Sequence, residues 1–562
     1  MNSRRVWERF AFVVLIATAA TFFSVSQVCA QAGEPKDFAI RGAKVVPVSA
    51  PLMENATVLI SRGVITAVGT NVSIPPDAWV IDGKGLIVYP GLIDSFTDVA
   101  LVGAPAAPAG SATPAIDANA HPPISRGPED RPATTPWRNA ADEVNLADPR
   151  IESWRGAGFT TTISSPKTGT FPGQAAVLDL AGDHAGDLVV KAPVAILVSL
   201  TPAGGFRSFP GSQMGAIAYV RQVWLDTNWS TQAAGNYEKN PRGTERPKYD
   251  RTEAALASAL QKNAVVLLPG NSTLQIRRVL QLAGEWKLNS VLYGAQMSYE
   301  VAPEIAAKKI PVLVDLKWPE PEKDADPDAT PSLRVLRFRD RAPSSPAALE
   351  KAGVKFAFYS GAITTPKDLL PAVKKAIDAG LAPDAALRAL TLSPAEIFGV
   401  SDILGSIDKG KIANLVVTDG DLFDKKTKIK LVFVDGRRFE VREPLRPTEP
   451  PKGDLTGKWK LSFTSPEGAE EATADLVMAS DGTLTGTVTS PRGTGNIFTG
   501  YVSESKFNFT ISLSLEGNLT EANFIGTFEG STMKGSISAM GYTFDFTGTK
   551  PPAAAAPTGG AL

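Results

Sequence analysis

The stretch Val88-Tyr89-Pro90-Gly91-Leu92-Ile93-Asp94-Ser95-Phe96-Thr97-Asp98 decides how this chain is interpreted. An apolar run passes through a Pro-Gly turn into a second apolar run, which ends among polar residues. Short apolar runs bounded by turn residues predict buried β-strands. We therefore expect Asp94 and Asp98 at or near the carboxyl end of a buried strand, which is where the active sites of α/β barrels gather.

The sequence on either side of this stretch predicts a β-sandwich interrupted by a barrel. Short runs of alternating apolar and polar residues fill 36–89, and a similar pattern returns at 400–443. In the second region, Asp435-Gly436 is typical of a type I′ hairpin turn. Between 90 and 399, strand-like and helix-like segments alternate, which predicts a (β/α)8 barrel of the TIM type. The predicted fold class is therefore α/β, with a composite β-sandwich.

Two segments resemble the amidohydrolase superfamily, in particular its exported, imidazolonepropionase-like members. One runs from Ile81-Asp82-Gly83-Lys84-Gly85 to Asp94, and the other from Leu404-Gly405-Ser406 to Val417, with Asn414 where aspartate is usual. The resemblance implies a metal-dependent hydrolase barrel at 90–399 that is bracketed by the two halves of the sandwich. It also implies an activity, the hydrolysis of non-peptide C–N bonds.

The positions at which the family holds its metal carry other residues in this chain. By resemblance, a His-x-His pair should stand where Phe96 and Asp98 are found. The histidines that end the fifth and sixth strands are replaced by Pro269 and Tyr293, and the aspartate of the eighth strand by Gly361. The whole chain has only His121, His184 and Cys29 to offer as histidine or cysteine ligands. Because imidazole and thiolate are the preferred ligands of zinc-like ions, we predict neither a metal nor another cofactor.

The sequence therefore favours a degenerate amidohydrolase, a pseudoenzyme that binds a small molecule or a protein instead of hydrolysing it. Candidate binding residues are Asp98, Asp315 and Tyr293, which are expected at strand ends. A simpler interpretation is that Asp94 caps a strand and that Asp315 pairs with Lys317 or an arginine. The alternative function is an active hydrolase with a carboxylate-only centre, since carboxylates alone can hold Mg²⁺ or Ca²⁺.

The amino terminus predicts export to the periplasm or the extracellular space. Arg4, Arg5 and Arg9 precede an apolar run at 10–23, and small residues follow at 28–30. This order is typical of a signal peptide, here residues 1–32. The run is shorter than the roughly 20 residues that span a bilayer, so the cleaved chain is not expected to cross a membrane. A net charge of -1 gives no reason to expect a nucleic-acid partner.

The remaining segments predict a long excursion and a second domain. An Ala/Pro-rich stretch at 103–148 is expected to pass over the barrel mouth. After a linker at 444–452, short alternating strands at 453–550 predict a small antiparallel β domain, and 551–562 predict a disordered tail. The opening Gly457-Lys458-Trp459 resembles lipocalin- or avidin-like barrels. A third possibility is that this C-terminal domain carries the function and that the large barrel is a spacer. The sequence leaves the oligomeric state open.

An aromatic group at Trp224, Trp229 and Tyr237 has asparagines interleaved with it. Such a group could line a groove for a sugar or a peptide. It could equally form a buried cluster beneath a loop. The sequence does not separate these two alternatives.

Overall fold

The computed structural model describes residues 37–102, 131, 133–201, 211–261, 264–321, 330–441, 449–465, 468–491, 493–515, 518–539 and 542–551. The predicted signal peptide lies outside these residues, as do most of the predicted excursion and parts of the predicted linker and tail. Residues 1–441 and 442–562 form two compact units.

The sandwich sheet is assembled from two distant parts of the chain. Its order is β16-β15-β14-β5-β1-β2-β3, with β4 beside β1. β5 and β14 join the two parts antiparallel, with Leu415 opposite Pro90. Phe38 and Phe433 pack edge to face across the sheet at 5.5 Å between ring centroids. The strands are β1 (Asp37–Val45), β2 (Met53–Ser61), β3 (Val64–Gly69), β4 (Trp79–Asp82), β5 (Ile87–Pro90), β14 (Leu415–Thr418), β15 (Ile429–Val434) and β16 (Arg437–Glu440).

The second sheet is the barrel, and its strands follow one another in the order of the chain. At the seam between the first and last strands, the Ser95 hydroxyl donates to the Phe358 carbonyl at 2.7 Å. Its strands are β6 (Leu92–Thr97), β7 (Phe159–Ser164), β8 (Gln174–Asp179), β9 (Val189–Leu197), β10 (Val265–Gly270), β11 (Ser290–Gly294), β12 (Val312–Asp315) and β13 (Phe356–Tyr359). The predicted fold class is confirmed.

One barrel strand departs from the regular (β/α)8 pattern. β8 runs antiparallel to both β7 and β9, whereas the other neighbouring pairs in the barrel sheet are parallel. The connections at 165–173 and 180–188 are too short for the crossover that a parallel pair requires. The chain therefore turns back at each end of β8 and places Asp179 at the end of the barrel opposite the mouth.

Helices flank the barrel, and each of those given below except Leu333–Arg341 has buried residues. Serine side chains begin two of them: Ser212 accepts from the Gly215 amide at 3.0 Å and Ser272 from the Gln275 amide at 3.2 Å. No described helix has the length and apolar character needed to cross a membrane. The helices are α1 (Arg150–Gly156), α2 (Gln213–Lys239), α3 (Arg251–Leu260), α4 (Thr273–Trp286), α5 (Ala302–Lys308), α6 (Leu333–Arg341), α7 (Ser345–Lys351), α8 (Leu369–Asp378), α9 (Pro383–Leu390) and α10 (Leu392–Ile397).

The second unit is a closed antiparallel barrel in which the first strand pairs with the last. Alternate side chains point inward, and Trp459 and Phe509 are buried there. The Phe509 and Phe524 rings stack at 4.7 Å, so aromatic side chains pack the interior. The strands are β17 (Gly457–Ser465), β18 (Gly468–Met478), β19 (Leu484–Ser490), β20 (Gly493–Ser503), β21 (Lys506–Leu515), β22 (Asn518–Glu529), β23 (Thr532–Ala539) and β24 (Tyr542–Thr549).

Candidate ligand site at the barrel mouth

Three aromatic rings meet inside the barrel at the carboxyl ends of its strands. Phe96 of β6 lies 5.0 Å from the ring of Tyr293 of β11 and 5.5 Å from that of Tyr359 of β13. Phe96 and Tyr359 are buried, and Tyr293 is half-buried. We call these three residues the aromatic cluster. By resemblance, two of its members occupy positions of metal-binding histidines, so the structure brings these positions together and fills the space between them with rings.

Both tyrosine hydroxyl groups of the aromatic cluster donate hydrogen bonds to other residues of the barrel. The Tyr293 hydroxyl donates to the Val198 carbonyl at 3.1 Å. The Tyr359 hydroxyl donates to Oδ2 of Asp315 at 3.3 Å. Burial raises the pKa of both tyrosines above the ordinary value. They are therefore neutral hydrogen-bond donors at physiological pH.

Asp315 ends β12 beside the aromatic cluster and is half-buried. Its Oδ1 accepts from the Lys317 backbone amide at 2.7 Å. Lys317 therefore contacts Asp315 through its backbone amide, whereas the predicted ion pair with Lys317 or an arginine is not seen among the described residues. Burial raises the pKa of Asp315 to about 6, while the Lys317 amide and the Tyr359 hydroxyl favour the ionised form. A carboxyl group with this pKa can exchange a proton close to neutral pH.

Gly361 stands where the resemblance places the catalytic aspartate, and Asp315 occupies the space that a side chain would need there. A Cβ atom built on Gly361 would lie 1.9 Å from Oδ1 of Asp315. Gly361 also has a φ of +59°, in the left-handed region. An aspartate at 361 is therefore incompatible with the observed position of Asp315.

We expect Gly361→Ala to lower the free energy of unfolding by about 1–3 kcal/mol, because it adds both backbone strain and a collision. Gly353→Ala is the matched control: its φ is +70°, but a Cβ atom there would meet nothing within 4 Å. Urea unfolding measures the free energy of unfolding of both variants, and the difference between the two losses gives the cost of the collision with Asp315. Equal losses in the two variants would show that Asp315 does not fill the space.

Asp94 lies two residues before Phe96 on β6 and connects three elements of the barrel. Its Oδ2 accepts from Nε1 of Trp154 on α1 at 3.1 Å, and its Oδ1 accepts from the Ser360 amide after β13 at 3.0 Å. Burial raises the pKa of Asp94, against the hydrogen bonds that favour its ionised form. These contacts are those of a structural group, as the simpler interpretation predicts, but Asp94 lies within β6 and does not cap its end.

Asp98 lies at the rim of the mouth in an ion-pair cluster. Its Oδ1 is 3.0 Å from Nη1 of Arg150 and 3.6 Å from Nζ of Lys167. Nζ of Lys167 also lies 5.3 Å from the centre of the Phe96 ring. Burial would raise the pKa of Asp98, but Lys167 and Arg150 together lower it. The rim therefore presents an ionised carboxylate and a lysine above an aromatic floor.

These residues do not fit the metal centre that the fold family implies. Phe96, Pro269 and Gly361 offer no ligand atom in their side chains, and the Tyr293 hydroxyl is used by Val198. Among the residues that the structure describes, no three His, Cys, Asp or Glu side chains are grouped so that they could hold a metal ion. His184 is exposed at the opposite end of the barrel, and His121 lies outside the described residues.

The structure connects the predicted binding residues only indirectly. Tyr359 links Asp315 to the ring of Phe96, which also contacts the ring of Tyr293. Lys167 links Asp98 to the same Phe96 ring. Their role in binding stays a prediction. Lys167 was not among the residues predicted from the sequence, although its position three residues after β7 indicates the barrel mouth. Trp154 was not predicted either, because no local sequence pattern shows that a side chain of α1 contacts Asp94.

Comparisons with known proteins concern the family and the fold. Residues 331–439 match the model of the amidohydrolase family. An amidohydrolase structure from Thermotoga maritima MSB8 is 24% identical, with a TM-score of 0.58, over 72% of this chain and 100% of that one. A Xaa-Pro dipeptidase structure with bound methionine is 15% identical, with a TM-score of 0.44, over 72% and 100%. No curated protein sequence matches the chain.

The described barrel has the fold of an amidohydrolase structure, and part of the chain matches the amidohydrolase family model. The likeness to the Thermotoga structure shows the fold, and the matched segment covers the last barrel strand and the sandwich return. The predicted resemblance to the amidohydrolase superfamily is thus confirmed.

Proposed function

We propose that this protein is an exported, metal-free relative of the amidohydrolases that binds a ligand at the barrel mouth without hydrolysing it. The aromatic cluster carries the proposal, because its rings fill the space where the family's ligand positions converge. The collision between a side chain at 361 and Asp315 supports it independently. Generation of a metal-bound hydroxide, the family's route to a nucleophile, has no suitable ligands in this arrangement.

The mouth offers complementary groups to a small molecule or to an inserted segment of a protein. Asp315 accepts hydrogen bonds when ionised, and its pKa of about 6 allows it to donate one when protonated. Asp98 and Lys167 place opposite charges at the rim. An apolar floor with a few placed polar groups is the usual composition of a ligand pocket.

Elemental analysis and titration with Zn²⁺, Mn²⁺ and Mg²⁺ test the absence of the metal centre. We expect no stoichiometric divalent ion in the purified chain and no saturable binding in calorimetry. A stoichiometric ion that is lost in Asp98→Ala and retained in Asp77→Ala would contradict the proposal. Asp77 is the control because it is an exposed carboxylate in the sandwich part of the chain.

A thermal-shift screen of small molecules tests binding. A ligand that occupies the mouth should raise the melting temperature of the wild type. We expect this shift to disappear in Asp315→Asn and to persist in Asp77→Asn. Shifts that are equal in both variants would place the ligand elsewhere and would contradict binding at the mouth. Export is tested by locating the amino terminus of the secreted chain.

The second candidate function is a hydrolase that uses carboxyl groups alone. The raised pKa of Asp315 and its contact with the Tyr359 hydroxyl favour it, because a carboxyl group that titrates near 6 suits general acid–base catalysis. This function predicts hydrolysis of C–N bonds with a pH dependence near 6. It also predicts that the activity is lost in Asp315→Asn and unchanged by chelators.

A further inference from the structure

Helix α2 exposes large apolar side chains to solvent. Met214 is 79% exposed, Leu225 is 52% exposed and Trp229 is 71% exposed. Exposed apolar groups that form a contiguous patch mark interaction sites, whereas scattered ones need no explanation. At about 100° per residue, these three positions fall within roughly 60° of one another around the helix axis. They therefore share one face.

The opposite face of α2 packs against the barrel. Trp224 is fully buried there, with its ring 5.9 Å from that of Phe171. Trp224 and Trp229 thus point away from each other and do not line one groove. Of the two alternatives for this aromatic group, burial applies to Trp224, while Trp229 remains exposed.

The exposed face of α2 carries no charge over most of the length of the helix. Arg221 and Asp226 are half-buried at its edges, where they pair with Glu285 at 2.8 Å and with Arg131 at 2.9 Å. Depletion of charge around Trp and Met is typical of the core of a protein–protein interface. Anionic lipid or nucleic acid would require cationic side chains on this face. The exposed positions from 214 to 236 are Met214, Ala218, Gln222, Leu225, Asn228, Trp229, Gln232 and Asn236.

Six of these exposed positions repeat with the spacing of a coiled-coil seam. From Ala218 to Asn236 the successive steps are 4, 3, 4, 3 and 4 residues. This repeat keeps one stripe facing a partner helix. The stripe is apolar at its centre and polar towards its ends, as expected of an interface with a core and a rim.

The same stripe is complementary to itself when two copies run antiparallel. About a two-fold axis at Thr227, Leu225 faces Trp229 of the second copy, and Gln222 faces its Gln232. Ala218 then faces Asn236. The large apolar side chains meet at the centre, and the amide groups of the glutamines can hydrogen-bond to each other. A two-fold dimer requires this kind of self-complementary surface.

We propose that this chain forms a two-fold homodimer by antiparallel packing of α2 through the stripe at Ala218, Gln222, Leu225, Trp229, Gln232 and Asn236. The stripe is about 28 Å long at 1.5 Å per residue. A single helix pair buries an area at the small end of specific interfaces. The dimer is therefore a reversible, concentration-dependent one.

Sedimentation velocity of the full chain over a range of concentrations tests this proposal. We expect the wild type to dimerise, and Trp229→Glu to weaken association at least tenfold with unchanged circular dichroism. Leu333→Glu is the matched control, because Leu333 is 60% exposed on α6, outside the stripe. A wild type that stays monomeric throughout, or a dimer that is broken by Leu333→Glu and not by Trp229→Glu, would overturn the proposal.

A pair of charge variants tests the antiparallel geometry. Gln222→Glu combined with Gln232→Lys places opposite charges across the two-fold axis, so dimerisation should be kept or strengthened. Gln222→Lys combined with Gln232→Lys places like charges there and should give monomers. Equal weakening by the two pairs would overturn the proposed antiparallel packing, because parallel helices would bring residue 222 against 222 and residue 232 against 232, so that both pairs would place like charges together.

Discussion

Asp94→Ala is expected to lower the free energy of unfolding by about 3 kcal/mol. The change removes the acceptor for Nε1 of Trp154 and for the Ser360 amide, and all three residues are at most 2% exposed. A buried donor without a partner costs about 1–3 kcal/mol, and two donors are left without one. The loss falls at the seam between β6 and β13, where Asp94 supports the closure of the barrel.

Denaturant unfolding of the full chain measures this effect, with Asp98→Ala as the matched control. Asp98 follows the same strand, but its ion pairs with Arg150 and Lys167 are half-exposed. Exposed pairs of this kind contribute no more than about 1 kcal/mol. Equal losses in the two variants would show that the contacts of Asp94 do not stabilise the seam.

The second large effect concerns Asp179, which is buried between the barrel and the sandwich sheet. Its Oδ1 accepts from Oγ1 of Thr161 at 2.7 Å and from Nδ2 of Asn414 at 2.9 Å. Burial raises the pKa of Asp179 to about 7; the two hydrogen bonds oppose this rise, and the nearby carboxylate of Asp435 adds to it. Asn414 also accepts from the Asp435 amide at 2.8 Å.

The raised pKa makes stability depend on pH with a definite sign. The folded pKa of about 7 lies above the unfolded value of about 4, so the folded state binds more protons between these values. The free energy of unfolding therefore falls as pH rises from about 4 to about 7, and it levels off above 7. A shift of this size corresponds to on the order of 2–4 kcal/mol.

Asp179→Asn should remove this dependence while keeping an oxygen to accept both hydrogen bonds. We expect the variant to be more stable than the wild type at pH 8 by on the order of 2–4 kcal/mol, with a difference below about 1 kcal/mol at pH 4. Asn414→Asp should act in the opposite direction, because it sets a second carboxyl group against Asp179. If the free energies of unfolding of the wild type and of Asp179→Asn changed with pH in the same way across this range, the assignment of the pH dependence to Asp179 would be contradicted.

The same contacts explain why Asn414 departs from the aspartate that is usual in the family. An aspartate at this position would face the carboxyl group of Asp179, whereas an amide donates to it. The sequence showed the substitution and could not show its cause. Asp179 lies 235 residues away along the chain and reaches Asn414 only because β8 runs antiparallel to its neighbours.

Much of the candidate site could be predicted, because strand ends are local features. The turn and strand pattern around Pro90-Gly91 predicted Asp98 near a strand end, whereas the positions of Phe96, Tyr293 and Gly361 came from the resemblance to the family. The structure places all four at or near the carboxyl ends of barrel strands. The direction of β8 could also have been inferred from its two short connections. The contact between Phe96, Tyr293 and Tyr359 could not, because it joins strands that are distant in sequence.

The sequence by itself determined the class of fold and the identity of the side chains at the positions where the family, by resemblance, holds its metal. Both follow from the identity and order of residues, which need no knowledge of long-range contacts. Only the tertiary structure decided how the side chains at these positions are arranged: rings that form the floor of the mouth, Asp315 in the space beside Gly361, and Lys167 above Phe96. It also decided which face of α2 meets the barrel and which meets solvent. Packing between distant segments sets these features, and local sequence patterns do not encode it.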